Sequence, residues 1–272
     1  MRYLIVAEAY RDLEQLSSRL ALAERLAALL VDTPADLLPT VCYLCQGLIA
    51  PEFAGIDLGV AEKLAIRAVA TVAGTDAAQV AALVREAGDL GQAVEQLLTP
   101  SGSGSGGGAV GLDVAEVVGT LREIAVAEGA GSQGRKLELL AVLLTRATPL
   151  EARYLLRLVT RNLRLGIGTP TILDALVQVH AGGKAARPVL ERGYSICCDL
   201  GKVAAALVSG GGSAAGPAGE PGAGHAGPAA GRRRSDPGSA GRAVRGRVQV
   251  RRHPSPGAPH RRREDRAVHP AA

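Results

Sequence analysis

The chain reads as all-α: two lobes of packed helices joined by a glycine–serine segment and followed by a tail of different composition. Its hydrophobic content, 47% of 272 residues, comes chiefly from Ala, Leu and Val, with one Phe, five Tyr and no Trp. That mixture suits closely packed helices and is poor for sheets, which favour β-branched and aromatic residues. Residues 1–98 and 112–209 carry apolar runs at helix period. Residues 99–111 between them are almost entirely Gly and Ser, a flexible linker with no side chains able to pack. No stretch makes a convincing strand, and about ten helices are expected.

Helix starts can be placed in order along the chain. Thr33-Pro34, Thr148-Pro149 and Thr169-Pro170 each set a capping hydroxyl before a proline at the first helical position, where its missing N–H costs nothing. Thr75-Asp76 and Asp113 with Glu116 mark two further starts. A short internal echo joins the lobes. Leu58-Gly59-Val60 and Leu165-Gly166-Ile167, 107 positions apart, each lead into an apolar helical run. Residues 210–272 break the pattern. From 211 onward there is no Leu, Ile, Met, Phe, Tyr, Trp or Lys, and Gly, Ala, Pro and Arg dominate. Such a segment buries too little apolar surface to offset its ordering entropy, so it reads as disordered.

Charge divides the chain as sharply. Residues 1–130 carry a net −9 (8 basic, 17 acidic), residues 131–210 a net +6 (11 and 5), and residues 211–272 a net +8 (12 and 4). This predicts that the second half faces a polyanion and the first does not. The scarcity of aromatics argues against a single-strand reader, which stacks bases on such rings. The first apolar run stops at Glu8, too short for an export signal, and none approaches the roughly 20 residues of a membrane span. A cytoplasmic protein with four reduced cysteines is expected.

The densest signal lies on the helix expected from Pro149 to Arg164. Arg153, Arg157, Arg161 and Arg164 fall within an arc of roughly 80°, opposite Tyr154, Leu155, Leu158, Val159 and Leu163. One face would pack while the other offers four planar forks suited to phosphate; an ordinary solvated face is the alternative. The loop Gly166-Ile167-Gly168-Thr169-Pro170 then opens a new helix, where free N–H groups and glycine backbone could meet an anion, or could simply make a turn. Gly129 to Lys136 repeats the device, with Gly131, Ser132, Gln133, Arg135 and Lys136 around a helix start. Basic residues there oppose the helix dipole unless an anion is the partner. Cys42-x-x-Cys45 and Cys197-Cys198 lie in apolar runs without histidine partners, so packing explains them better than metal. His180 reads as structural. No nucleophile–base pair and no nucleotide-hydrolase phosphate loop is evident, which favours binding over catalysis.

These residues also form a recognisable series. The stretch from Leu155 to Leu176 resembles the signature of the N-terminal DNA-binding domain of ATP-dependent DNA ligases. Ile49 to Phe53, Asp57 to Lys63, Glu128 to Gly134, Thr148 to Tyr154 and Tyr194 to Gly201 match further pieces in the family's order, over about residues 1–209. The resemblance implies a helical domain that binds the minor-groove side of duplex DNA beside a nick, mainly through phosphates. On this chain the implied contacts are Gly131, Ser132, Gln133, Lys136, Arg161, Arg164, Gly166 and Gly168, with Gly59 and Lys63 in the first lobe. Thr169-Pro170 departs from the pattern, where an acidic and a small residue are expected. A larger departure concerns chemistry. The family attacks ATP, with Mg2+, through the lysine of a Lys-x-Asp-Gly motif. None of Lys63, Lys136, Lys184 and Lys202 is followed by x-Asp-Gly. The expectation is therefore a nick-flanking domain without the catalytic part, a monomer that holds no cofactor and forms no adenylate with ATP alone. The segment after Gly210 reads as an out-of-frame translation of the adenylation region. Two other readings stay open: an independent basic helical DNA-binding protein, and a helical scaffold whose arginines meet an acidic protein.

Overall fold

The computed structural model describes residues 1–99, 110–181 and 183–209; most of the expected linker and the whole expected tail lie outside them. The described residues form twelve α-helices, two 3₁₀ turns and no strand, beyond one isolated bridge between Arg2 and Asp113. In order, the helices are α1 (Tyr3–Glu14), α2 (Arg19–Val31), α3 (Leu38–Cys45), α4 (Glu62–Ala73), α5 (Ala77–Ala87), α6 (Leu90–Leu98), α7 (Val114–Val126), α8 (Ser132–Arg146), α9 (Pro149–Val159), α10 (Thr169–His180), α11 (Arg187–Cys197) and α12 (Leu200–Ser209). The 3₁₀ turns span Glu52–Ala54 and Lys184–Ala186. No helix among them is long and apolar enough to cross a membrane.

Helix α9 is the hub. Tyr154, Leu155, Leu156, Leu158 and Val159 are all buried, and α9 packs against α1 and most closely against α6. Close approach to α6 depends on Gly91, where a Cβ would stand 2.7 Å from the carbonyl oxygen of Arg153. Elsewhere α2 packs on α10, α4 on α8 and α3 on α12, so helices from before and after residues 99–111 share one core. Tyr43 on α3 fills the space left by Gly201 and donates its hydroxyl to Asp199 at 2.5 Å.

Helix α9 starts as its sequence demands. Thr148 accepts from the Glu151 amide at 3.3 Å, and Glu151 accepts from the Thr148 amide at 2.8 Å, a reciprocal capping box. The other oxygen of Glu151, a fully buried residue, accepts from the Leu112 amide at 3.1 Å. Asp76 and Asp89 cap α5 and α6 through their side chains. Other starts differ from expectation. No helix begins at Thr33-Pro34: the buried Thr33 hydroxyl donates to the Leu29 carbonyl and finishes α2 instead. At α10 the cap is Gly168 and Thr169 is already helical, its hydroxyl accepting from Gln46 at 3.2 Å. Asp113 occupies the cap position of α7 without a side-chain bond. The paired cysteines are likewise not both helical. Cys197 ends α11, and Cys198 follows it in left-handed backbone, φ 51°. Cys42 and Cys45 are buried in α3, and burial pushes the Cys45 thiol up to about 12.

Candidate nucleic-acid interface

The four-arginine stripe does not form. Helix α9 stops at Val159, five residues short of Arg164. The amide of Arg161 donates to the Leu158 carbonyl at 3.1 Å and that of Asn162 to the Arg157 carbonyl at 2.7 Å. This pair of reversed bonds is the Schellman ending, whose left-handed residue is usually glycine. Here it is Arg161, with φ 57°.

The consequence divides the arginines. Arg153 and Arg157 stay on α9, their side chains 13% and 8% exposed. Arg153 bonds Glu14 at 2.6 Å and Glu95 at 2.7 Å; Arg157 bonds Asp89 at 3.0 Å and pairs with Glu14. Both guanidinium carbons stand over the Tyr154 ring, at 5.2 and 5.6 Å from its centroid. Burial alone would lower the Arg153 pKa, but the bond to Glu95 and the nearby charges of Glu14 and Glu95 hold it above its ordinary value. These two residues, expected on an exposed face, are internal struts between α1, α6 and α9. Their charge is already matched by carboxylates, and the expectation that they stand on an exposed face is corrected.

Arg161 and Arg164 lie beyond the helix end and are exposed. Arg161 reaches across to the turn before α4, donating to the Ile56 carbonyl at 3.4 Å and pairing with Asp57 at 3.5 Å. Two adjoining hollows meet at this side chain. One is lined by Ile49, Glu52, Ile56 and Leu58, the other by Gln46, Leu48, Arg164 and Gly166. Gly59 and Gly166 both hold left-handed backbone, φ 58° and 69°, and each stands three residues before the first residue of a helix, α4 and α10. The Leu-Gly echo is therefore one local design used twice.

The third glycine turn belongs to the same neighbourhood through Lys136. Gly129 and Gly131 are left-handed, φ 82° and 84°, and Gly131 holds the cap position of α8. Lys136, one turn into α8, is only 7% exposed; its ammonium donates to the Leu58 carbonyl at 2.8 Å. That burial corrects the expectation of an open basic side chain there. Arg135 is exposed but lies 3.6 Å from Glu123 and 3.8 Å from Glu138. Ser132 is half-buried, Gln133 exposed, and Lys63 exposed in the first turn of α4. Helices α4, α8 and α10 all begin without a side-chain cap, at Ala61, Gly131 and Gly168. Their first-turn amides are thus not taken up by a capping side chain. Sequence reasoning missed Asp57 and Gln46. Both act across the fold, Asp57 on Arg161 and Gln46 on Thr169, and Asp57 also accepts locally from the Gly59 amide at 3.1 Å.

Among the described residues there is no cluster of His, Cys, Asp and Glu able to hold a metal ion. What the geometry defines is an all-α domain in which the turns at Gly59 and Gly166 meet at the exposed Arg161, with α8 tied to the first of them through Lys136.

The comparisons with known proteins give that class its family. Residues 2–177 match the family described as DNA ligase N terminus, and the chain belongs to it. It is 45% identical over 213 residues to DNA ligase 2 of Thermofilum pendens, covering 76% of this chain and 35% of that protein. A probable DNA ligase of Aquifex aeolicus is 45% identical over 207 residues, 76% of this chain and 35% of its own length. The DNA ligase of Saccharolobus solfataricus is 39% identical over 215 residues, 76% and 36% respectively. The chain thus spans about a third of the length of these relatives.

Proposed function

We propose that this chain is the DNA-gripping domain of an ATP-dependent DNA ligase, acting as a monomer that holds duplex DNA on either side of a nick from its minor-groove side. Arg161 carries the reading. A non-glycine residue in left-handed backbone costs about 1–2 kcal/mol, and glycine would serve the helix ending better. Strain of this kind is kept where the side chain is used. This side chain stands exposed where two glycine turns meet, in a chain of the DNA ligase N terminus family. Arg161, Arg164 and Lys63 supply charge, while Gly59, Gly131, Ser132, Gln133, Gly166 and Gly168 supply backbone close to phosphates. Arg135 contributes once an anion competes with Glu123 and Glu138. Thr169 positions the α10 turn through Gln46. ATP and Mg2+ belong to the adenylation chemistry of the whole enzyme, and the gripping domain binds neither.

The test is an anisotropy titration of the full chain against nicked and continuous duplexes over about 50–200 mM salt, a range in which phosphate contacts dominate the salt dependence. The nicked duplex should bind more tightly. Replacing Arg161 and Arg164 together by Ala should weaken binding and reduce the log–log salt slope by about 1.8, the value for two lost phosphate contacts. An unchanged slope would take these arginines off the DNA and leave the reading without its main support.

A further inference from the structure

Cations hold two carbonyl groups of the turn between the first 3₁₀ segment and α4. The Ile56 oxygen accepts from Arg161 and the Leu58 oxygen from Lys136. The two contacts differ in kind. Arg161 is exposed, has a carboxylate beside it and makes a long bond. Lys136 is buried, has no ion-pair partner among the described residues, and makes a bond of 2.8 Å. Taking an ammonium out of water is costly unless a strong acceptor replaces the water. Here the Leu58 carbonyl is that acceptor. Gly59 makes the room: a Cβ at this position would stand 2.7 Å from the Lys136 nitrogen, and its φ of 58° would strain any side chain.

We infer that Lys136 is a positioning residue that acts through the Leu58 carbonyl and makes no phosphate contact of its own. It fastens the Gly59 turn to α8, so that the turns at residues 56–61 and 129–134 keep a fixed mutual geometry. It also takes up a carbonyl lone pair that would repel an anion approaching the turn. The DNA-binding consequence rests on the function proposed above; the fastening does not.

Two measurements on the full chain separate these statements. The first is amide hydrogen exchange over residues 58–65 in the absence of DNA. Lys136→Met should speed it about tenfold, as loss of a hydrogen bond to a charged group does, while α9 exchanges as before. The second is duplex affinity against salt. Lys136→Met should weaken binding about tenfold with the parent slope retained, whereas a lost phosphate contact would lower the slope by about 0.9. Unchanged exchange overturns the inference whether or not DNA binds, and a reduced slope overturns it in favour of direct contact. A parent chain that fails to bind any duplex defeats the proposed function only, and the exchange result still decides the fastening. Should Lys136→Met fail to fold by circular dichroism, Lys136→Gln serves for both measurements. It is neutral and one atom shorter than lysine, and the same outcomes are expected.

Discussion

Arg157 and Arg161 are four residues apart and would share a face if α9 ran on, yet the molecule uses them in opposite ways. Arg157 is enclosed by Glu14, Asp89 and the Tyr154 ring, each from an element that α9 packs against or from α9 itself. Arg161 sits one residue past the helix cap, in backbone that glycine would prefer, and its one carboxylate neighbour, Asp57, is itself mostly exposed. The helix ending is what separates the two fates. It turns the chain before the fourth arginine of the pattern and converts half of a stripe into structure and half into surface. The same chemistry, a guanidinium beside carboxylates, holds helices together where water is excluded and stays available to another anion where it is not.

Three substitutions would break or sharpen that contrast. The largest effect should come from Arg157→Ala. It strands Asp89 in a half-buried site without its cation and leaves Glu14 with Arg153 alone, and should cost about 3–5 kcal/mol in urea denaturation. A loss under about 1 kcal/mol, typical of an exposed pair, would put Arg157 in the same class as Arg161. Gly91→Ala tests the same region through packing. Its Cβ would press on the Arg153 carbonyl, and a loss of about 1–3 kcal/mol is expected from forced separation of α6 and α9. An unchanged midpoint would mean that the two helices yield at no cost. The smallest effect has the opposite sign. Arg161→Gly should relieve left-handed strain and raise stability by about 1 kcal/mol or less, after the entropy that glycine costs in the unfolded chain, while weakening duplex binding. A variant that is both less stable and still binds normally would show Arg161 to be a structural residue.

Much of the architecture could be read from local signals. Thr148-Pro149 named the start of α9, and the repeated Leu-Gly pairs marked two turns that share the left-handed glycine and its three-residue offset from a helix. Where a start depended on a single hydroxyl, as at Thr33 or Thr169, that hydroxyl had other partners in reach and took them. The burial of Arg153 and Arg157 was beyond a local reading, because their partners Glu14, Asp89 and Glu95 lie 58 to 143 positions away. The acidic first half and basic second half looked like the mark of an external polyanion. Part of that asymmetry is satisfied internally, by acids between residues 14 and 95 that meet arginines between residues 153 and 161. Lys136 was visible as a base at a helix start, but the carbonyl that receives it is 78 positions earlier.

Glu151 has one more implication. Its two oxygens bind the amides of Leu112 and Thr148, and the backbone of Leu112 in turn accepts from Tyr3 at 2.7 Å. The chain is thus clamped on re-entering the core, and the register of everything after it is set at that clamp rather than by the connecting segment. A change at Glu151 would free both amides at once, at the entries to α7 and to α9.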